Sequence, residues 1–271
     1  MKTLPIYQVD AFTNRLFAGN PAAVVPLQEW LPDETMQTIA AENNLSETAF
    51  VVPAGAAKWE LRWFTPTIEV PLCGHATLAT AFVLAEVMGE KAETFTFSTL
   101  MVGDLTVSRD AEGWFVMRFP RRPKTSDAIA IEPVAAALGR RPDTVVEFAT
   151  PGDTSWLAVF AAEADVIGLE PDFRAIAGLP PLNIIATASG MSVDFVSRMF
   201  APKAGLDEDP VTGSAHCSLV PYWAERLGKT TFTAKQVSAR GGDLRCELDG
   251  DTVVVCGEAV LYLKGEIVVP D

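Results

Sequence analysis

The sequence predicts an α+β protein made of two pseudo-symmetric halves, and three observations carry that prediction. At 271 residues the chain exceeds the roughly 100–200 of one domain, so two are expected. A phrase is written twice, as "ELRWFTPTIEVPLCGHATLATAF" from Glu60 to Phe82 and "SRMFAPKAGLDEDPVTGSAHCSLV" from Ser197 to Val220. Each copy carries an Arg, a Phe, a Pro two residues past the Phe, then Glu-x-Pro-x-x-Gly-x-Ala before an apolar run. The strand and helix signals around the two copies also follow the same order.

In the first half, "IYQVDAF" and "NPAAVVPL" are apolar or alternating and predict strands, with a turn at Ala18-Gly19-Asn20-Pro21 between them. Met36, Ile39 and Ala40 recur at helical spacing between Asp33 and Asn44, and Asp33 is the expected N-cap. "ETAFVVP" and "WELRWFTP" predict strands, followed by a helix over about Ala76–Met88 and the strands "TFTFSTL", "DLTVSRD" and "WFVMRFP". In the second half, "LEPDFRAIAGL" from Leu169 parallels "LPDETMQTIA" from Leu31, each a short helix opened by Leu and an Asp. Strands "NIIATAS" and "DFVSRMFAP", a helix over about Gly213–Leu227 and a closing meander of strands complete it. The expected halves are 1–123 and 124–271, with the last strands able to cross back to the first half. The basic run Arg121–Lys124 is expected to be a solvated connection near that join.

Hydrophobic residues make up 49% and charged residues 21%, which suits a protein with a sizeable core. A net charge of −14 argues against a nucleic-acid partner, which requires a local excess of Lys and Arg. No stretch reaches the roughly 18 apolar residues of a membrane span, and the N-terminus has no signal-peptide core. A cytoplasmic protein with four cysteine thiols is expected. Across a two-residue turn at Asp249-Gly250, Cys246 and Cys256 would point to opposite sheet faces, against a disulfide there.

The repeated phrase places a Gly at the start of a helix, where unpaired N–H groups and the helix dipole favour an anion. A carboxylate suits the Gly74-His75 amides and equally the Gly213-Ser214 amides. Related by a pseudo-two-fold axis, the two helix starts would face one cleft fit for a small anionic molecule. Cys73 and His75 flank one Gly, Thr212 and Ser214 the other, and Asp209 replaces an apolar Val70. Asp209 is open to two roles, capping the helix or orienting a substrate hydroxyl or amine. At a helix N-terminus His75 is expected to stay neutral, able to donate or accept a proton.

"VDAFTNRLFAGNPAAVV", "LSETAFV", "RWFTPTIEVPLCGHATLA" and "EDPVTGSAHC" resemble the PhzF-like (phenazine biosynthesis-like) proteins, over nearly the whole chain. The resemblance implies the diaminopimelate epimerase-like fold, each half a curved, barrel-like sheet around a central helix, with the active site between the halves. It further implies a homodimer, a small carboxylate-bearing substrate, no metal or organic cofactor, and an isomerase that moves a proton between carbons. Carried over by motif, Glu47 is the general acid/base, with His75, Asp209 and Ser214 also catalytic. Gly74, Gly213, Cys73, Thr212 and Asn20 complete the set as substrate-binding residues. "FSTLMVGDLTV" departs from the family pattern only in its turn.

The copies differ in a way that separates chemistries. A racemase or epimerase using two thiols would need a Cys before each helix, yet Cys73 has Thr212 as its mirror. Cys217, about one helical turn further along, is no geometric substitute. Glu47 has Asn183 as its mirror, so one base without a partner favours a proton shift on one face over stereoinversion. To act as that base Glu47 must be partly desolvated. A zinc site from Cys73, His75, His216 and Cys217 is disfavoured, because adjacent helical residues point about 100° apart. The remaining alternatives are an epimerase of an amino or hydroxy acid and a non-catalytic small-anion binding protein.

Overall fold

The computed structural model describes residues 1–270 and divides the chain into two compact units. The first comprises Met1–Arg118 and the segment from Cys256 onward, and the second comprises Phe119–Val255.

In the first unit the order is β1 (Lys2–Ala11), β2 (Asn20–Pro26), α1 (Asp33–Asn43), β3 (Glu47–Gly55), β4 (Lys58–Phe64), β5 (Glu69–Val70), α2 (Gly74–Phe82), β6 (Thr94–Ser98), β7 (Asp104–Arg109) and β8 (Phe115–Pro120). In the second it is β9 (Lys124–Ser126), α3 (Ile131–Leu138), β10 (Thr144–Thr150), β11 (Asp153–Val159), α4 (Glu163–Ile167), α5 (Phe173–Ala177), β12 (Asn183–Ser189), β13 (Phe195–Ala201), β14 (Leu206–Asp209), α6 (His216–Leu227), β15 (Thr231–Gln236), β16 (Gly242–Asp249) and β17 (Thr252–Gly257). The closing strand β18 (Ala259–Val269) pairs antiparallel with β1 along the first unit's sheet.

The duplication holds strand by strand. β1 pairs antiparallel with β2, β2 parallel with β3, and β3 antiparallel with β4. β4 then takes β5 antiparallel and β6 parallel, and β6 takes β7 antiparallel. The second unit repeats each step: β10 with β11 antiparallel, β11 with β12 parallel, β12 with β13 antiparallel. β13 takes β14 antiparallel and β15 parallel, and β15 takes β16 antiparallel. In both units the parallel steps are the ones that enclose a helix, as a crossover requires.

Side-chain contacts explain why the phrase occurs twice. In the first unit the Arg62 guanidinium forks onto Glu69, with Nε and Nη2 each donating to a carboxylate oxygen at 2.7 Å. In the second, Arg198 forks onto Glu208 at 2.7 and 2.8 Å. Each guanidinium also lies over the Phe two residues on, Phe64 at 5.2 Å and Phe200 at 5.1 Å. The free arm of each Arg reaches a helix of its own unit. Arg62 donates to Asp33 of α1, and Arg198 donates to the Val166, Ile167 and Leu169 carbonyls at the end of α4. The fork fixes β5 and β14, the strands that lead into the two glycine-started helices.

α2 is enclosed by the first unit's strands, since its residues from His75 to Ala81 are all buried. Small residues permit that close wrapping. Thr77 and Thr80 satisfy their buried hydroxyls by donating to the carbonyls of Cys73 at 2.6 Å and Ala76 at 2.7 Å. Gly257 belongs to the same enclosure, because a Cβ there would overlap the Phe12 ring and Leu78. Each unit has its own apolar core. In the first, Val25, Met36, Phe50 and Phe64 pack together, and in the second Leu138, Trp156, Ile184 and Phe200 do so.

Four local expectations need correction. Asp33 is the first residue of α1 rather than its N-cap; Pro32 stands at the cap, and the Asp33 carboxylate is turned to Arg62. The helix of the first copy starts at Gly74 and ends in a π-helical turn over Val83–Val87. The second unit also contains α3 and α4, outside the expected repeat. Finally, Arg122 of the basic run is buried at 8% exposure rather than solvated. Its guanidinium donates to Ser155 at 2.6 Å and Ser218 at 3.3 Å and pairs with Asp153. All four cysteines are free thiols, and no helix among the described residues is long and apolar enough to cross a membrane.

Candidate active site

In the first unit the tight turn before β2 sets the position of Asn20. Gly19 has φ +66°, and a Cβ there would overlap the Ala11 carbonyl oxygen, so only Gly fits. Asn20 is fully buried, and its Nδ2 lies 3.2 Å from Nδ1 of His75. His75 is the second residue of α2, while Cys73 precedes the helix in extended conformation with its Sγ 3.4 Å from the same Nδ1. On the opposite side of the ring, Nε2 lies 3.2 Å from Oε2 of Glu47, the first residue of β3.

The hydrogen-bond pattern assigns the tautomer. An amide Nδ2 only donates, so Nδ1 of His75 accepts and the ring proton sits on Nε2, facing the Glu47 carboxylate. Burial pushes the His75 pKa from 6.5 down to about 3, so the imidazole is neutral, as the sequence led one to expect. The cause is burial rather than the helix dipole. Glu47 itself is only 15% exposed, on a strand whose next residues are sealed in the core. Donor atoms of Glu47, Cys73 and His75 lie within 4.8 Å of one another, so these three, rather than the set containing His216 and Cys217, could hold a metal ion.

The second unit builds its helix start differently. Thr212 is extended, and Gly213–Ala215 form a 3-10 turn that runs into α6. Asp209 is buried, and its carboxylate accepts the Thr212 hydroxyl proton. Gln236 closes this turn. Its Oε1 accepts from the Thr212 amide at 2.9 Å, and its Nε2 donates to the Asp209 carbonyl at 2.6 Å. Gln236 had no signal in the sequence, because a Gln on a strand carries no motif. Gly213 is buried and Ser214 partly exposed. His216 bonds through Nδ1 to the Thr212 carbonyl at 2.9 Å, and its pKa is pushed down to about 4 by burial, against hydrogen bonding to the Thr212 and Gly213 backbone. Burial pushes the Cys217 thiol up to about 12, so it is an inert thiol near neutral pH.

The two histidines give a pH prediction. Both refuse a proton that the unfolded chain takes up below about pH 6.5, so their contribution is fully present above that value. It is lost as the pH falls toward about 4 for His216 and about 3 for His75. At about 1.4 kcal/mol per group and pH unit, urea unfolding at pH 5 should give a stability lower by about 3–4 kcal/mol than at pH 7. His216→Asn combined with His75→Gln should remove most of that slope. An unchanged slope in the double variant would mean other groups carry it.

A twice-built α+β unit, with one copy holding a mostly buried carboxylate beside a buried imidazole and thiol at a helix start, is an arrangement able to move a proton. The family model described as phenazine biosynthesis-like protein (PhzC-PhzF) matches residues 9–265. An uncharacterized isomerase of Pseudomonas aeruginosa is 52% identical over 265 residues, covering 97% of this chain and 98% of that protein. A PhzF-family crystal structure from Enterococcus faecalis superposes with a TM-score of 0.92 at 45% identity, over 99% of this chain and 100% of that one. A probable proline racemase from Agrobacterium radiobacter, 11% identical with a TM-score of 0.64, covers 98% of this chain and 93% of that one and shares the fold alone. The chain therefore belongs to the phenazine biosynthesis-like family, and it is an isomerase.

Proposed function

We propose that the protein is a cofactor-independent isomerase that moves a proton between carbons of a small carboxylate-bearing substrate, with Glu47 as the single acid/base. The supporting observation is the asymmetry of the two copies. Glu47 opens β3 beside His75, whereas the residue opening the corresponding strand β12 is Asn183, which has no acid/base chemistry.

In this reading the Glu47 carboxylate takes a proton from one carbon and becomes a carboxylic acid, and the electron pair left behind spreads into the adjacent conjugated system. The same carboxyl then returns its proton to a different carbon, and the double bond relocates, so charge and protons balance within one cycle. Neutral His75 sets its Nε2 3.2 Å from the Glu47 carboxylate and is itself fixed by Asn20 and Cys73. The Gly74 and His75 amides at the start of α2 stabilise the negative charge that develops when the proton leaves. In the second unit, Gly213 and Ser214 are assigned to substrate binding, with Asp209 and Thr212 presenting their turn.

The test is proton exchange in heavy water against a panel of cyclic and unsaturated amino and hydroxy carboxylates, followed by NMR. Deuterium uptake into a panel member supports the isomerase. Binding of carboxylates without exchange in any of them would instead indicate a small-anion binding protein on this frame.

A further inference from the structure

The two copies end an equivalent strand differently. β6 pairs parallel with β4, and β15 pairs parallel with β13. Ser98 closes β6 and donates its hydroxyl proton at 2.7 Å to Asp104 of the adjoining strand β7. Gln236 closes β15, is fully buried, and bonds instead to the residues that lead into α6. The first unit thus builds the same strand, turn and helix with a side chain that faces its own hairpin. The fold does not demand a carboxamide at this place, so the reason for Gln236 lies elsewhere.

Its bonding capacity is largely used. Oε1 accepts from the Thr212 amide at 2.9 Å, while Nε2 donates to the Asp209 carbonyl at 2.6 Å and to the Thr212 hydroxyl oxygen at 3.3 Å. A backbone N–H only donates and a carbonyl only accepts, so the orientation of the carboxamide is determined. The Thr212 hydroxyl oxygen receives a Gln236 proton and sends its own proton to the Asp209 carboxylate. One side chain thereby ties both ends of the Asp209–Thr212 turn and, through Thr212, directs the Asp209 carboxylate. Gly213 and Ser214 follow directly, so their amides point where this turn aims them.

We propose that Gln236 is a positioning residue for substrate binding, holding the Gly213 and Ser214 amides and the Asp209 carboxylate in the arrangement the substrate meets. This rests on the reading that a substrate carboxylate binds at the Gly213-Ser214 helix start. Donors already aimed lose little freedom when the anion arrives, and that preorganisation is expressed as affinity. Gln236 acts through the turn and not by touching the substrate.

The test titrates benzoate and acetate calorimetrically into the intact protein at about pH 6 and about pH 9.5, with urea unfolding to verify the fold of each variant. Wild type should bind the better probe at both pH values. Gln236→Met keeps the length of the side chain and loses its polar bonds, so it should bind at least about tenfold more weakly at either pH. Gln236→Glu separates positioning from packing. At about pH 6 burial keeps its carboxyl protonated, able to accept from Thr212 and donate to the Asp209 carbonyl, and affinity should return to within about threefold of wild type. At about pH 9.5 it ionises against that carbonyl and the Asp209 carboxylate, and binding should fall at least about tenfold below wild type. A folded Gln236→Met with wild-type affinity would overturn the proposal, as would a Gln236→Glu with the same ratio to wild type at both pH values. Failure of both variants to fold would make the residue purely structural and overturn it too. Failure of wild type to bind either probe would instead overturn the carboxylate reading, and this inference with it.

Discussion

Replacing Glu47 by Gln is expected to lower the rate of substrate proton exchange by roughly 10³-fold while carboxylate affinity stays within about twofold. The substitution is nearly isosteric. It keeps the side-chain volume 3.2 Å from Nε2 of His75, and the imidazole keeps its contact with Asn20. What is lost is the ability to hold and release a proton. The expected split between unchanged binding and a lost chemical step distinguishes an acid/base from a residue that only shapes the pocket. Exchange at the wild-type rate in Glu47→Gln would remove Glu47 from the chemistry.

The second large effect is on stability. Arg62→Met should destabilise the fold by on the order of 3 kcal/mol, because it leaves the partly buried Glu69 carboxylate, 23% exposed, without its bidentate partner. The Arg62 pKa lies above its ordinary value, raised first by the hydrogen bond to Glu69 and opposed by burial, so the arginine is charged throughout. It also lies over Trp30 at 5.4 Å and Phe64 at 5.2 Å, contacts that Met replaces in part. Adding Glu69→Gln to Arg62→Met should recover much of the loss, since the unpaired charge is then gone. Urea unfolding of the two variants and wild type measures this. Equal stability of Arg62→Met and wild type would show that the fork contributes geometry and no net energy.

Much of this architecture was legible in the chain, and the reason is physical. A helix that starts on a Gly after an extended residue, preceded by a strand pinned by an Arg–Glu fork, needs those residue types at fixed spacing. Two copies of the device therefore leave two copies of the phrase. Glu47 and His75 were legible through the family motifs, and the structure brings them to 3.2 Å. Longer-range partnerships left no such trace. Arg122 looked like one cation in a solvated run, yet it is buried by partners 31 and 96 residues away, Asp153 and Ser218. Gln236 and Asn183 are single polar residues on strands, and only the pairing of distant strands shows what they face. The helix α4 escaped notice because it is five residues long, too short for a period to register.

The same asymmetry between the copies carries the functional account, with one carboxyl at Glu47 and an amide at its mirror, Asn183. The most direct measurement is the fate of the proton. A carboxylate from the exchange panel is turned over in heavy water, and the position and face of each incorporated deuterium are read by NMR. With the Glu47 carboxylic acid exchanging its proton with heavy water before returning it, a lone Glu47 predicts deuterium delivered to a different carbon, on the face from which the first proton left, with the configuration of the starting carbon not scrambled. Inversion at the carbon that lost its proton, with deuterium arriving from the opposite face, would require a second base and contradict the account.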